Sequence, residues 1–225
     1  MSDPEQDAVT ASQDPYPSAE VVAVAASSIP GEFLVPDLVA TFGDRQPEFR
    51  VAVEDTDSAG VFAALRDGRA EVGLAGVEPD GDDLEAEVVG ADEIVLAVPR
   101  GHDLDGGSVT VEQLAATALV EREEGSGTRR SFADALVDRG TPLISEQEWT
   151  IRDTNAGVLE AVAAREGVGV ISAWALSEHG DDDVRAVRLD GGPIERCLYL
   201  VLRRDDDLGP AATTFVAWAR EQMRT

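Results

Sequence analysis

The chain contains no lysine: all 18 of its basic residues are arginine, set against 45 acidic ones for a net charge of −27. A surface so poor in positive charge cannot grip nucleic acid, which requires clustered Lys and Arg on one face. It suits a salt-rich cytoplasm instead, where cations screen the self-repulsion and carboxylates hold water, so the chain is expected to be halophilic. There is a single cysteine, Cys197, in an apolar stretch. It excludes an internal disulfide and a thiolate metal cluster and reads as a small buried side chain. Histidine is scarce, with only His102 and His179, both in Gly/Asp-rich surroundings that read as solvated loops. No His/Cys group can hold zinc, and neither histidine has an evident serine partner. No apolar run is long enough to span a membrane, and the first 20 residues lack a signal-peptide core. A cytoplasmic location without membrane contact is expected. The runs at 181–183 and 205–207 are Asp triplets without EF-hand spacing and read as solvated faces.

What is present is a core. Hydrophobic residues make up 43% of the 225, enough for two small α/β lobes. Residues 1–20 are polar and carry three prolines, as expected of a disordered acidic tail or linker remnant. From there a plan appears. Strands are expected at 21–26, 49–55 and 71–75. Between them lie a helix bearing Phe33, Leu34, Leu38, Val39 and Phe42 up to Gly43, and a second bearing Val61, Phe62 and Leu65 up to Gly68. A strand at 93–98 runs into Pro99-Arg100-Gly101. The same strand–helix–strand–helix–strand run then recurs from 117–121 through 148–152 to 168–171, at an offset of 96 to 99 residues. A strand at 196–202 and a helix from Pro210 close the chain.

Matching runs at a constant offset predict an α/β fold of two Rossmann-like lobes with mixed, mostly parallel sheets joined by two crossover strands. Lobe I is expected to hold 21–98 plus 198–225, and lobe II 99–197. Crossings are placed near residues 99–101 and 193–197.

The most informative segment is Glu121-Arg122-Glu123-Glu124-Gly125-Ser126-Gly127-Thr128-Arg129, between a strand and a helix. Helix starts carry unpaired N–H groups and a positive dipole end, and Gly, Ser and Thr there suit a small anion. Ser27 and Ser28 follow the first strand in the same way, and Thr154 and Asn155 follow a later one. Ligands collect at the carboxyl ends of strands in parallel sheets. Facing lobes would bring these turns into one cleft. Arg122 and Arg129 flank the central turn and read as surface salt-bridge formers. No catalytic set emerges: Ser126 lies outside a Gly-x-Ser-x-Gly elbow, and Gly125-Ser126-Gly127-Thr128 lacks the lysine of a phosphate-binding loop. The chain is expected not to be an enzyme and to hold no metal or cofactor.

Several stretches together carry a resemblance. Residues 24–39 (Val-Ala-Ala-Ser-Ser-Ile-Pro-Gly-Glu-Phe-Leu-Val-Pro-Asp-Leu-Val) are similar to the opening of the effector-binding domain of LysR-type transcriptional regulators. Residues 65–75 and the Gly167-Val168-Gly169-Val170-Ile171-Ser172 strand entry resemble later parts of it. The Gly125-Ser126-Gly127-Thr128-Arg129 run resembles the branch associated with sulfur-type and oxyanion effectors. The resemblance covers about residues 20–223 and implies a type 2 periplasmic-binding-protein fold, with an effector between the lobes. It also implies assembly into a homodimer or higher oligomer. Carried over by position, the effector contacts are Ser27, Ser28, Ser126, Gly127, Thr128, Thr154 and Asn155. Two departures stand out. The family's winged helix-turn-helix and linker helix do not precede residue 20, so DNA is expected to be reached only through a domain outside this chain. The stretch 163–166 is about two residues longer than usual.

The expected function is sensing of a small anion or small carboxylate for a LysR-type regulator. The alternative is a stand-alone oxyanion-binding protein linked to transport, of sulfate, phosphate or molybdate type. A third reading, an enzyme such as a dehydratase on the same fold, lacks the Thr-rich signature such enzymes carry.

Overall fold

The structure is a computed structural model that describes residues 19–141, 149–204 and 207–223. It begins with β1 (Glu20–Ser27), α1 (Ser28–Phe33), α2 (Val35–Arg45), β2 (Phe49–Thr56), α3 (Ser58–Arg66), β3 (Val72–Ala75) and the long β4 (Leu84–Pro99). β5 (Ser108–Val109), α4 (Val111–Ala115), β6 (Leu119–Arg122), α5 (Gly127–Asp138), β7 (Thr150–Arg152), α6 (Asn155–Ala163) and β8 (Val168–Ser172) follow. The chain ends with α7 (Ala173–His179), β9 (Val184–Leu189), β10 (Ile194–Arg203) and α8 (Pro210–Gln222).

The strands follow the order β2-β1-β3-β10-β4-β8-β6-β7, with β9 on β4 and β5 on β9. β1 pairs in parallel with β2 and β3, and β6 in parallel with β7 and β8. The two parallel halves are joined by antiparallel strands. β4 pairs with β10 from Leu84 to Ile94, then with β8 over Ile94–Ala97 and with β9 over Leu96–Pro99. β10 also pairs with β3 through Tyr199–Val201, and its register with β4 shifts between Leu198 and Tyr199. This is the expected α/β fold of two lobes joined by two long strands.

The repeat extends to packing. A Cβ on Gly73 of β3 would lie 2.8 Å from side-chain carbons of Leu65 and Val61 on α3. A Cβ on Gly169 of β8 would lie 2.8 Å from Val158 and Val162 on α6. In both lobes a glycine, 96 residues apart, lets the helix after the second strand sit directly on the third. A hydrophobic cluster containing Val22, Ile29, Phe42 and Phe215 continues through Val95, Val120, Ile171 and Ala175, so apolar packing is shared across the two halves.

Several sequence boundaries are corrected. The expected first helix is two, broken at Leu34, because Pro36 lacks an N–H and its ring collides with the carbonyl four residues back. The second piece runs past Gly43 to Arg45. β4 starts at Leu84 rather than residue 93; its first half is rich in Glu and reads as loop until it pairs with β10. β5, α4, α7 and β9 were not expected. Glu20, assigned to the tail, opens β1, while residues 1–18 lie outside the described residues. The strand expected over 148–152 is described from Thr150, and residues 142–148 and 205–206 likewise lie outside. Cys197 is half-buried rather than buried. His179 ends α7 and pairs with Glu32 of α1, so it is no solvated loop residue.

Candidate functional site

The capping residues divide into two kinds. Asp57 caps α3 by accepting from Gly60 N at 2.6 Å, Thr154 caps α6 by accepting from Gly157 N at 3.0 Å, and Ser172 caps α7. Thr110 and Gln113 form a reciprocal capping box on α4. Ser27 before α1 and Ser126 before α5 occupy the same position with extended backbone, yet neither side chain caps its helix. Both serines are nonetheless buried, at 4% and 3% exposure. A hydroxyl that is buried and not used on its own helix is available for something else.

Where these starts meet, the two halves of the molecule touch. A Cβ on Gly127 would lie 2.8 Å from Ser58 Oγ and 3.3 Å from the Gly76 carbonyl carbon. A Cβ on Gly125 would fall inside the Asp57 carboxylate. Glycine at these two positions is what lets the start of α5 close on the β3 and α3 side. The seam holds two spaces. The inner one, a chamber of about 10 Å³, is lined by Ser27, Ser28, Ile29, Ser58, Gly76, Ser126, Gly127, Thr128 and Arg196. That is room for about one water-sized particle. The outer one, a cleft of about 620 Å³ open to solvent, is lined by Ser28, Gly31, Glu32, Asp55, Thr56, Asp57, Arg122, Glu123, Asp153, Thr154, Asn155 and Ala156. It falls within the usual range for small-molecule sites. The structure thus sorts the seven sequence-predicted residues. Ser27, Ser126, Gly127 and Thr128 face the chamber, Thr154 and Asn155 the cleft, and Ser28 borders both.

Two buried arginines organise the seam, and sequence reasoning missed both roles. Arg122, expected on the surface, is 2% exposed. Its Nη2 donates to Ser28 Oγ at 2.9 Å and to the Asp153 carbonyl at 3.0 Å, and its Nη1 donates to Asn155 Oδ1 at 2.8 Å. Nε and Nη2 also meet the Glu123 carboxylate, at 2.8 and 2.9 Å. Asn155 Nδ2 then donates to Glu32 Oε2 at 2.9 Å, which closes a chain from α1 through β6 to α6. Arg196 of β10 donates through Nε and Nη2 to Asp92 Oδ2, at 3.0 and 2.6 Å, and through Nη1 to Thr128 Oγ1 at 3.1 Å. The other Asp92 oxygen is buried without a hydrogen-bond partner. Burial pulls the Arg196 guanidinium below its ordinary value, and Asp92 acts against that.

A third buried ionisable side chain, Glu121, immediately precedes Arg122 in the sequence. Burial pushes the Glu121 carboxyl up to about 7, with Arg129 pulling the other way. Arg129 Nε is 3.4 Å from Glu121 Oε2 without the alignment of a hydrogen bond. Arg129, too, was expected as a surface salt-bridge former, and its partner is a buried carboxylate. The cleft wall is acidic: among the described residues Glu32, Asp55, Asp57, Glu123 and Asp153 line it beside the cation Arg122. Among the described residues no group of three or more His, Cys, Asp and Glu side chains has the arrangement of a metal site.

Against known proteins, residues 17–224 match the family model described as the LysR substrate binding domain. The chain is 36% identical over 218 residues to the phosphonates import ATP-binding protein PhnC of Anaeromyxobacter dehalogenans, covering 92% of this chain and 43% of that protein. It is 32% identical over 188 residues to the HTH-type transcriptional regulator CbbR of Sinorhizobium medicae, covering 82% of this chain and 59% of that protein. The chain therefore spans about half the length of the curated relatives it matches. Among solved structures, the Synechocystis CcmR regulatory domain in complex with 2-PG superimposes with a TM-score of 0.79 at 20% identity, covering 91% of this chain and 98% of that one. The effector-binding domain of QuiR in complex with shikimate also gives 0.79, at 15% identity, covering 91% and 97%. These likenesses show the same two-lobe fold of the type 2 periplasmic-binding-protein class. With residues 17–224 matching the family model, the chain belongs to the LysR substrate-binding domain family.

Proposed function

We propose that the chain is the effector-sensing part of a LysR-type regulator and binds a small anion or carboxylate between its lobes. The observation that carries this reading is the seam itself. Polar helix starts from both halves border one cleft of about 620 Å³, and Arg122 ties Ser28 of one half to Asn155 of the other. A ligand the size of the shikimate held by QuiR fits that volume. Ser28, Thr154 and Asn155 meet it in the cleft. Ser27, Ser126, Gly127 and Thr128 receive its acidic group once the lobes part enough to admit it. Lobe I is taken as 21–98 plus 198–225 and lobe II as 99–197. The partner exchanges of β4 over Ile94–Pro99 support the first crossing. The register shift of β10 at Leu198/Tyr199 supports the second.

Binding favours one lobe arrangement and shifts a homodimer or higher oligomer accordingly. DNA is reached through a domain not contained in this chain. The regulators among the relatives, such as CbbR, favour sensing over transport-linked binding of sulfate, phosphate or molybdate.

Thermal-shift screening of the chain tests the reading, with sulfate, phosphate, molybdate, thiosulfate, acetylserine and simple carboxylates as probes. A ligand at 100 times its Kd adds about 2.7 kcal/mol. At least one probe is expected to raise the melting temperature saturably, and Thr128→Val is expected to abolish that rise. A panel that leaves the melting temperature unmoved would overturn the proposal.

A further inference from the structure

β6 presents its last two residues to opposite faces of the sheet. Leu119 packs with Phe132 and Leu136 of α5, whereas Val120 belongs to the cluster on the other side. Side chains alternate along a strand, so Glu121 follows Leu119 beneath α5 while Arg122 turns to the cleft. Glu121 is 2% exposed, and its Oε2 has no hydrogen-bond partner. The charged groups around it are few. α5 brings Arg129, whose Nε lies 3.4 Å from Oε2 without alignment and whose Nη1 donates to the Arg122 carbonyl at 3.5 Å. Arg130 and Asp134 of α5 pair with each other, and Arg130 also with Asp80. On β7, Ile151 stands opposite Glu121 and Arg152 pairs with Glu166. β8, Val168–Ser172, carries no charged residue. Across the seam Asp57 meets Gly125 and caps α3. Glu121 is thus a carboxyl in an apolar wall with one badly aligned cation beside it.

A neutral carboxyl is tolerated in such a place, but a carboxylate needs water or well-aligned donors. Arg129 is partly exposed, so solvent reaches the first turn of α5. That turn is weakly held: Ser126 does not cap it, and its first internal bond runs from Arg130 N to Ser126 O at 3.1 Å. We propose that Glu121 is a proton-operated lock on the start of α5. With the carboxyl neutral the first turn lies closed over it; release of the proton to solvent loosens the turn, so that the carboxylate meets water. Ser126, Gly127 and Thr128 of this turn wall the chamber, and the loosening therefore reaches the place where the two halves meet. The direction follows from burial, which raises the Glu121 carboxyl to about 7, while Arg129 acts against it. The folded structure disfavours the ionised form, so the loosening develops from about pH 6 to about pH 8. The lock operates in the ligand-free chain, and its test is independent of the effector screen.

The experiment is hydrogen exchange of the full, ligand-free chain from pH 5 to pH 8, read by mass spectrometry with intrinsic amide rates divided out. Opening in a peptide containing Arg130 and Ser131 is expected to rise about tenfold over that range, while α8 does not follow it. Glu121→Gln keeps the shape of the neutral acid and is expected to hold the pH 5 level throughout. Arg129→Gln removes the opposing cation and is expected to enlarge the rise. In carbon-13 NMR the Glu121 carboxyl is expected to titrate at about 7, and higher in Arg129→Gln. An α5 start whose opening ignores pH, or a rise retained in Glu121→Gln, would overturn the proposal. So would a Glu121 carboxyl that titrates with the ordinary glutamates, or a smaller rise in Arg129→Gln.

Discussion

The chamber and the cleft share Ser28 and lie along one seam, yet they are built on opposite terms. The chamber is narrow, with room for about one water-sized particle, and lined largely by hydroxyls. The cleft is open, some sixty times larger and edged by five carboxylates. Each has a buried arginine, and the arginines are used differently. Arg196 neutralises a carboxylate that has no route to water, whereas Arg122 ties together partners at the edge of an open space. In a low-dielectric wall a missing partner leaves an uncompensated charge, while beside a solvent-filled cleft water replaces much of what is lost. The same side chain is thus a structural necessity in one place and an adjustable cleft-lining group in the other.

Replacing each arginine tests that contrast most severely. Arg196→Leu is expected to cost about 3–5 kcal/mol, since it strands Asp92 in the interior. Arg122→Leu is expected to cost about 2 kcal/mol, because Glu123 and Asp153 reach water. Urea denaturation of the two variants measures both, and equal losses would erase the distinction. The Arg196 loss should shrink sharply in the Asp92→Asn/Arg196→Leu double variant.

Glu121 offers the next largest effect. Its folded value of about 7 exceeds that of an unfolded glutamate, so the folded state holds the proton more tightly. Its contribution is at its most favourable below about pH 4.5 and declines as pH rises toward 7. Glu121→Gln is therefore expected to match wild type near pH 4 and to exceed it by about 3 kcal/mol at pH 8. The difference between the two proteins across that range is the readout, because it cancels the remaining carboxylates. A constant difference would remove Glu121 from the account.

Gly127→Ala tests the close approach of the two halves at the chamber. The new methyl would lie 2.8 Å from Ser58 Oγ and so prop the seam apart. A net loss of about 1 kcal/mol is expected, the gain in helix propensity partly offsetting the clash. Ligand-induced stabilisation should weaken with it, since the start of α5 is the proposed seat of the ligand's acidic group. An effect of the same size is expected from Thr154→Ala, which removes the cap on Gly157 N and costs about 1 kcal/mol without touching the chamber. Urea denaturation of the two variants measures both losses.

Much of this architecture is legible before any coordinate. The recurrence of strand–helix runs at nearly one hundred residues reflects apolar periodicity, which is local and survives in the linear order. The starts at Ser27, Ser126 and Thr154 are readable as turns for the same reason. Other elements also carry local marks in the sequence. Thr110 and Gln113 have capping-box spacing, and Val187–Leu189 sets buried Val and Leu on either side of exposed Arg188. The first half of β4 is different: an acidic segment becomes a strand because β10 supplies the hydrogen bonds.

The sequence by itself determined the two-lobe α/β plan, the helix starts and the excess of negative charge, because these depend on residue periods, caps and composition within a few positions of one another. Only the tertiary structure decided which of those starts face each other, which hydroxyls stay uncommitted, and that Arg122 and Arg196 are buried. Those outcomes depend on pairs such as Arg122 with Ser28 or Arg196 with Asp92, about a hundred residues apart. Burial and pairing across such distances arise when the sheet assembles, and no local pattern encodes them.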